Sequence, residues 1–314
     1  MKTTVILNPQ ASAGRAGREA EKIQERIESV LGACDFVQTA GPGDATVLTR
    51  KALEEGSERI VSVGGDGTNN EVVNGFFKDK STQLVREGGI LSFFPMGTGG
   101  DFCRVLGLNE KNFEEAYQKA QLFPIDVGTL WFHNAQGEQC MRHFLNVASF
   151  GGSGVIAQKV GALTKLLGGK LAYYVGTING LMSYKNKRVR VRVDAHFDEE
   201  MVVNTAAIGN STCFGGGMFI TPNAQICDGE LDLVVAGDVG VVTFLRCSGH
   251  IYKATHLGLP FFRELRGKHI RIEALENEAV FSETDGELCG QLPLELKVQP
   301  GAIKLFAPPH PSLS

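Results

Sequence analysis

The stretch from Arg59 to Gly75 constrains the fold of this chain more than any other. A short apolar run at residues 60–63 stops at two glycines, Asp-Gly-Thr-Asn-Asn follows, and a helical pattern then begins. This order predicts a buried parallel strand, a tight turn and the N-terminus of a helix. Because the first N–H groups of a helix are unpaired and lie at its positive end, they suit a phosphate group. The stretch therefore predicts a phosphate site, and an ordinary strand-to-helix turn is the competing interpretation.

The same alternation of strand and helix runs from the N-terminus to about residue 120. Such alternation implies a parallel sheet with helices on both faces. Ligands of these sheets bind beyond the carboxyl ends of the strands. We therefore expect the loops after the first, third and fourth strands to converge on one ligand. The other strands are predicted at residues 4–7, 34–38 and 90–94, and Asp44 suits the N-cap of a helix that continues to Glu55.

Beyond about Ile125 the sequence changes character, with frequent turns and few helical patterns. Residues 188–194 alternate strictly, which is typical of a half-buried strand. Similar segments predict a β-rich second domain of sandwich type. We expect an α/β nucleotide-binding domain at 1–124 and the second domain at 125–299, with a closing strand at 302–306 that could return to the first. The further strands are predicted at 201–208, 231–236, 269–273 and 294–298, and helices at 154–184 and 241–257.

The charge balance and the cysteines exclude several classes of protein. The net charge is −4, whereas a nucleic-acid binder usually carries a basic surplus. The seven cysteines form no C-x-x-C pair and are odd in number, so neither a zinc site nor a disulfide framework is indicated. This favours a reducing cytosol. No segment offers about 18 uninterrupted apolar residues, so no membrane-spanning helix is expected.

Several well-known motifs for phosphate binding and catalysis are absent from the sequence. There is no G-x-x-x-x-G-K-[ST] loop, no H-E-x-x-H, no G-x-S-x-G and no protein-kinase H-R-D or D-F-G set. The dinucleotide fingerprint G-x-G-x-x-G is not met after Val63, because Asn70 occupies the place of its third glycine. The phosphate site therefore belongs to another class.

Five blocks follow one another along the chain: Asn8-Pro9, residues 64–70, residues 95–102, residues 228–232 and Asp285-Gly286-Glu287. In this order they resemble the diacylglycerol kinase catalytic family, specifically the bacterial soluble lipid kinases akin to sphingosine and ceramide kinases. The resemblance spans nearly the whole chain. It implies an ATP-dependent lipid kinase whose first domain is similar to NAD kinase and phosphofructokinase, and whose second domain is a β-sandwich that holds the lipid substrate.

The resemblance also implies roles for individual residues, by position. Glu287 matches the general base, with Asp285 beside it. Asp228 matches an acidic residue at a structural Mg²⁺ ion, to which Gln225 and Glu230 would contribute backbone carbonyls. In one departure, Gly100 stands where the family commonly has asparagine, so a side-chain amide contact is lost. The positions that match nucleotide contacts are Asn8, Thr39, Gly64, Gly65, Asp66, Gly67, Thr68, Asn69, Asn70 and Thr98.

These residue types suit phosphoryl transfer to a hydroxyl group. A hydroxyl is a poor nucleophile until a carboxylate accepts its proton, and Mg²⁺, which carboxylates bind, neutralises phosphate charge. The Asp285-Gly286 pair is equally a strong hairpin-turn signal, and Asp228-Gly229 can likewise be a turn. Both interpretations of each pair stay open at this point.

The expected reaction moves the γ-phosphate of ATP to a lipid hydroxyl, with diacylglycerol as the default acceptor. The expected partner is lipid at a membrane surface, bound peripherally and reversibly from the cytoplasm; a homodimer stays open. Lys159, Lys165 and Lys170 punctuate an apolar stretch that is either a solvated helical face or an interfacial element. The alternatives are a soluble NAD kinase-like enzyme for small molecules and a nucleotide-binding sensor without catalysis.

Overall fold

The computed structural model describes residues 1–96, 100–154, 184–276 and 278–313. Its first half is built on a parallel sheet of β1 (Thr3–Leu7), β2 (Asp35–Gln38), β3 (Arg59–Gly64) and β4 (Ile90–Pro95), in the order β2-β1-β3-β4. Every residue of β1 and β3 is buried. A strand buried on both faces needs a helical layer on each side, as the alternating sequence predicts.

Helices connect these strands and turn their apolar sides toward the sheet. In the second helix, for example, Ile23 and Ile27 are buried one turn apart. The prediction that Asp44 caps a helix is wrong, because Gly43 holds the cap position and the Asp44 carboxylate accepts the N–H of Ala40 at 2.7 Å. The helices are α1 (Ala11–Arg18), α2 (Ala20–Leu31), α3 (Asp44–Glu54), α4 (Asp66–Gly75), α5 (Asp101–Val105) and α6 (Phe113–Gln118).

The second half is β-rich, as predicted, and consists of two layers of mainly antiparallel strands. Their strands are β5 (Gln121–His133), β6 (Gln139–Phe144), β7 (Val147–Gly151), β8 (Lys187–Val193), β9 (Phe197–Val203), β10 (Thr205–Gly209), β11 (Leu231–Ala236), β12 (Phe262–Gly267), β13 (His269–Ala274), β14 (Phe281–Thr284) and β15 (Glu287–Ala307). One layer follows β12-β11-β10-β7-β14, and the other follows β6-β5-β15-β13-β8-β9. Buried apolar side chains of both layers, such as Phe150 and Leu296, share one core. The helix α7 (Val241–Tyr252) packs Ile251 into a smaller cluster outside the first layer.

Two long strands, β5 and β15, join the halves. The β15 strand pairs with β14 at its start and runs antiparallel to β5 along most of its length. Near its end, Lys304 and Leu305 pair in parallel with Ile90 and Leu91 of β4. The same strand therefore belongs to the β-rich layer and to the parallel sheet.

The chain changes layer at Asn204, where the sequence suggests one continuous strand at 201–208. The residues before it pair with β8 and those after it with β7 and β11. The Asn204 N–H bonds the carbonyl of Ala236 at 2.9 Å, and its buried side chain donates to Asn186 Oδ1 at 2.8 Å. These bonds satisfy the backbone where the ladder is interrupted, so the break costs little.

Two helix predictions fall on the second half. The helix expected at 241–257 is present but ends at Tyr252, before a short 3₁₀ turn at His256–Gly258. The helices expected at 154–184 lie outside the described residues, apart from Gly154 and Tyr184, and so do Lys159, Lys165 and Lys170. Within the described ranges, no helix has the length and apolar content to cross a bilayer.

Candidate active site

A cavity of about 450 Å³ lies at the carboxyl edge of the parallel sheet. The chain proceeds from β1 to the edge strand β2 and then crosses to β3 on the other side of β1. Loops that leave β1 and β3 in opposite directions create a crevice between them, where open α/β sheets bind ligands. The residues that line this first pocket come from the loops after β1, β2 and β3, from the first turns of the helices that follow, and from Glu287. They are Asn8, Pro9, Gln10, Ala11, Ser12, Thr39, Ala40, Gly41, Pro42, Ala45, Gly65, Gly67, Thr68, Glu71 and Glu287.

The N-terminus of α4 forms one wall of the first pocket. Gly65 holds the cap position in an extended conformation, and no side chain caps the helix. The first N–H groups of α4 are thus free to donate to an anion at the positive end of the helix dipole. A Cβ atom added at Gly67 would lie 3.0 Å from Glu287 Oε1. The glycine therefore leaves room for a phosphate group and for the carboxylate at the same time.

Polar side chains complete the first pocket. Asn8 donates from Nδ2 to Thr68 Oγ1 at 2.9 Å, and its Oδ1 accepts the N–H of Gln10 at 2.9 Å. The Thr39 N–H bonds the carbonyl of Leu7 at 2.9 Å, which fixes the start of the loop after β2. Glu71 holds the other end of that loop, because its carboxylate accepts the N–H groups of Gly43 and Ala45 at 2.8 and 3.1 Å. The walls are therefore positioned by hydrogen bonds before any ligand arrives.

Asp66 turns toward the loop after β4 instead of lining the first pocket. Its Oδ1 accepts the N–H of Asp101 at 2.8 Å. Burial raises the pKa of Asp66, and the charge of Asp101 adds to that effect. Gly100, which precedes α5, has a φ of 59° and a ψ of 41°. Glycine and asparagine are the residues that accept this left-handed conformation most readily, which accounts for glycine where the family commonly has asparagine.

The remaining residues of the glycine loop support the pocket from behind. Gly64 lets Thr68 approach, since a Cβ atom there would lie 2.5 Å from Thr68 Oγ1. Asn69 is buried and accepts a hydrogen bond from Ser62 Oγ at 2.7 Å. Asn70 is buried too, and its Nδ2 donates to Asp285 Oδ2 at 2.8 Å and to the carbonyl of His143 at 3.0 Å. Thr98 lies outside the described residues.

The Asp285-Gly286 pair is a hairpin turn directly before Glu287, which lines the first pocket. It joins β14 to β15 with left-handed φ values of 50° and 86° at Asp285 and Gly286, as a two-residue type I′ turn requires. Asp285 Oδ1 accepts the N–H of Val147 at 3.1 Å, and Oδ2 accepts the bond from Asn70. Burial raises the pKa of Asp285 to about 7. The turn thus carries a carboxyl group that exchanges protons near neutral pH.

Glu287 lies between the first pocket and a second one of about 530 Å³. Its Oε2 accepts a hydrogen bond from Arg142 Nη1 at 3.3 Å. Burial raises the pKa of Glu287, while the Arg142 charge opposes that rise. The second pocket is lined by Pro42, Gly43, Thr46, Arg50, Asn70, Glu71, Asn74, Lys78, Asp79, Lys80, Cys140, Met141, Arg142, His143 and Glu287.

The sequence did not reveal Arg142 and His143, which line the second pocket, or Glu283, which supports the turn before Glu287. Glu283 is buried, accepts the N–H of Gly286 at 2.7 Å and bonds Ser149 Oγ; burial raises its pKa to about 7. His143 stacks on Phe77 with ring centroids 3.8 Å apart, and burial lowers its pKa to about 4. The sequence offered a signal for Glu283 alone, which is a carboxylate at an inward-facing position of β14 next to the Asp-Gly turn.

The residues expected at a structural Mg²⁺ ion lie apart from both pockets. Asp228 and Glu230 flank the turn before β11, and neither they nor Gln225 line the cavities. The Asp228 carboxylate contacts the Arg266 guanidinium, and its Oδ1 accepts the N–H of Glu230 at 3.0 Å. In the part of the chain that the structure describes, no group of three or more His, Cys, Asp or Glu side chains is arranged to hold a metal ion.

Comparison with known families assigns both halves. Residues 2–130 match the family described as the diacylglycerol kinase catalytic domain. Residues 146–307, more than half of the chain, match the family described as the YegS C-terminal NAD kinase beta sandwich-like domain. The two matches follow one another along the chain in the order of the α/β and β-rich halves.

Individual relatives span nearly the same length. The chain is 27% identical to "Diacylglycerol kinase" of Mycobacterium tuberculosis over 316 residues, which cover 98% of this chain and 96% of that protein. It is 31% identical to "Probable lipid kinase YegS-like" of Chromohalobacter salexigens over 273 residues, 85% of this chain and 81% of that one. The crystal structure of a candidate diacylglycerol kinase from Bacillus anthracis superposes with a TM-score of 0.77 at 25% identity, covering 100% of this chain and 96% of that chain.

Three observations point to one family. A glycine loop lies at the carboxyl edge of a parallel sheet, an Asp-Gly-Glu turn comes from the β-rich second half, and the family matches cover both halves. The chain belongs to the YegS-like lipid kinase family, whose first half is a diacylglycerol kinase catalytic domain.

Proposed function

We propose that this kinase transfers the γ-phosphate of ATP to a hydroxyl group of a lipid, with a diacylglycerol-like lipid as the default acceptor. The observation that carries the proposal is the position of Glu287, which lines two adjoining pockets. One pocket has the helix N-terminus that suits phosphate, and the other has room for an acceptor headgroup. A carboxylate between them stands where a hydroxyl of the acceptor would meet the terminal phosphate.

ATP would occupy the first pocket with its phosphates toward α4. The N–H groups that follow Gly65 would donate to the phosphate oxygens, and the polar edges of Asn8, Thr39 and Thr68 would contact the rest of the nucleotide. The loop residues that turn away from the first pocket, Asp66, Asn69 and Asn70, would keep this wall in place without touching ATP. Thr98 stays a proposed nucleotide contact on the strength of the resemblance.

In the proposed step the acceptor hydroxyl gives its proton to Glu287 while its oxygen bonds to the γ-phosphorus. The bond between the γ-phosphorus and the β,γ-bridging oxygen breaks, and ADP leaves. The raised pKa of Glu287 makes it a better proton acceptor than an ordinary glutamate. Asp285, which is held by Asn70 and Val147, would orient the turn that carries Glu287. The competing assignment makes Asp285 the base, because its pKa of about 7 also suits the task.

Phosphoryl transfer also needs positive charge near the phosphates, which a divalent cation bound to ATP supplies. The described residues contain no preformed cluster of three or more acidic, cysteine or histidine side chains for such an ion. We therefore assign no step to a metal held by the protein. Arg142 is the basic side chain that contacts the proposed base directly.

The acceptor would come from a bilayer, so the enzyme must meet a membrane surface. We propose that it does so peripherally and reversibly from the cytoplasm, as a monomer or a homodimer. Flotation with neutral and anionic liposomes tests this directly. Failure to float with either kind of vesicle would exclude the peripheral association.

Incubation with γ-labelled ATP and a total lipid extract tests the transfer itself. Label is expected in the organic phase with the wild type and strongly reduced with Glu287→Gln. Label on a nicotinamide nucleotide supplied in parallel would support a soluble small-molecule kinase instead. No transfer to any acceptor, with ATP still bound, would support a nucleotide sensor and exclude the proposed reaction.

A further inference from the structure

A guanidinium group occupies the centre of the acidic turn before β11. Arg266 Nη2 contacts Asp228 Oδ2 and lies 3.7 Å from Glu230 Oε2, while its Nε lies 3.1 Å from Asp232 Oδ1. Asp232 and Arg266 sit directly opposite each other on the antiparallel strands β11 and β12. The fold therefore fixes the arginine among three carboxylates.

The buried member of this set depends on that positive charge. The Asp232 side chain has no exposure to solvent, and neither of its carboxylate oxygens has a hydrogen bond of good geometry. A buried carboxylate without a charged partner is costly. A further acid, Glu264 on β12, adds negative charge to the surroundings of Asp232 and accepts a hydrogen bond from Asn223 Nδ2 at 2.8 Å. Arg266 is thus the cation that offsets Asp232.

The same guanidinium leaves little room for a metal ion at Asp228. Both oxygens of that carboxylate are engaged, Oδ1 by the N–H of Glu230 and Oδ2 by Arg266. A Mg²⁺ ion would have to lie about 2.0–2.1 Å from a ligand oxygen, where it would meet a guanidinium that never loses its proton. The arrangement of Gln225, Asp228 and Glu230 therefore does not fit the structural Mg²⁺ ion that the family resemblance implies.

The position of the turn matters for the junction of the two halves. Gly229 donates its N–H to Asp126 Oδ2 at 2.6 Å, and Gly301 donates to Asp126 Oδ1 at 2.7 Å. Asp126 lies on β5, and Gly301 lies in the irregular region of β15 where that strand passes from the β-rich layer to the parallel sheet. Because Arg266 holds residues 228–230 in place, it also stabilises the region of β15 where that strand passes from one layer to the other.

We infer that Arg266 supplies, within the chain, the positive charge that a metal ion would otherwise supply at this turn. The stability of the fold is then independent of divalent cations in the absence of nucleotide. Removal of the arginine charge leaves the carboxylates of Asp228 and Glu230 at this turn without their cation, so a divalent ion can take its place. This inference does not depend on which acceptor the enzyme phosphorylates.

Thermal unfolding of the nucleotide-free protein in excess EDTA and in excess MgCl₂ or CaCl₂ tests the inference. The wild type should have the same midpoint in all three solutions. Arg266→Gln should unfold at a lower temperature in EDTA and recover part of the loss when either metal is added. Isothermal titration with MgCl₂ alone should show saturable binding to Arg266→Gln and none to the wild type.

A matched control lies on the same strand. Arg263 is ion-paired with Glu199 at 2.7 Å on the exposed side of β12, so Arg263→Gln should show no response to either metal. Saturable Mg²⁺ binding or metal-dependent stabilisation of the wild type, lost in Asp228→Asn, would overturn the inference. If Arg266→Gln cannot be purified as a folded protein, that wild-type comparison decides alone, and a metal-independent midpoint supports the inference.

Discussion

Asn70 Nδ2 lies 2.8 Å from Asp285 Oδ2, although the two residues are 215 positions apart in the sequence. The first residue belongs to the helix whose N-terminus faces the first pocket, and the second belongs to the turn that carries Glu287. This hydrogen bond therefore ties the helix proposed to bind phosphate to the turn that carries the candidate base. Displacement of either element would move the other.

Loss of this bond should cost both stability and activity. In Asn70→Ala the half-buried Asp285 carboxylate loses a donor, and an unsatisfied polar group costs up to about 1–3 kcal/mol when it is buried. We expect a free energy of unfolding lower by that amount in urea titrations, and a fall in kcat under conditions where the variant is fully folded. Asn134→Ala, in the exposed hairpin between β5 and β6, is the control. Unchanged activity in Asn70→Ala would show that the helix and the turn are positioned independently.

Paired amide substitutions should identify the general base. Removal of a general base typically lowers the rate about 10²–10⁴-fold. Glu287→Gln keeps the size of the side chain, so we expect a reduction of that order in kcat with nearly unchanged ATP affinity in direct binding measurements. Asp285→Asn should lower kcat less, because Asp285 orients the turn. The reverse ranking would make Asp285 the base, and near wild-type rates in both variants would leave residues 285–287 as a hairpin turn only.

The pH dependence of the reaction should respond to Arg142. A general base works when it is deprotonated, so kcat/KM falls as the pH drops through its pKa. Burial raises the pKa of Glu287, and the Arg142 charge holds it down. Arg142→Gln removes the opposing charge, raises that pKa further and should move the acidic limb of the profile to higher pH. Arg142→Lys keeps the charge and should shift the limb less. If the acidic limb does not move in Arg142→Gln, the group whose ionisation controls kcat/KM does not sense the Arg142 charge.

A single methyl group at Gly67 should disturb the site without unfolding the protein. The added Cβ atom would lie 3.0 Å from Glu287 Oε1, the far end of a flexible side chain that can move away. We expect Gly67→Ala to keep its unfolding midpoint and to lose activity, since both the phosphate wall and the carboxylate are displaced. Gly249→Ala, on α7 with no atom near the new Cβ, should keep full activity. Wild-type kinetics in Gly67→Ala would place the reacting groups elsewhere.

The elements that could be predicted are those with a local signal. Apolar runs bounded by glycine located β3 and the turn to α4, and Asp285-Gly286 indicated a hairpin through its tolerance of left-handed φ values. The layer change at Asn204 had no such signal, because the bonds that permit it come from Asn186 and Ala236, both distant in sequence.

The inner organisation of the site was harder to predict than its location. A sequence motif does not say which of its members face the ligand, so Asn69, bonded to Ser62, could not be told apart from Thr68, which lines the pocket. Glu283 and Arg142 take their places through side-chain contacts with residues more than a hundred positions away in the sequence. Such contacts depend on tertiary register, which no local pattern encodes.

The passage of β15 through both halves has a consequence for experiments on gene fragments. A truncated chain that ends near residue 130 would leave β4 and β5 without the strand that pairs with both, and so would expose open sheet edges. Unpaired edges of this kind recruit other chains. We expect such a fragment to aggregate on expression. A second fragment, from residue 146 to the C-terminus, should aggregate too, because its β15 strand would lack the pairing partner β5. Co-expression of complementary pieces cut within the exposed β5–β6 hairpin, by contrast, should restore the shared strands and a soluble complex.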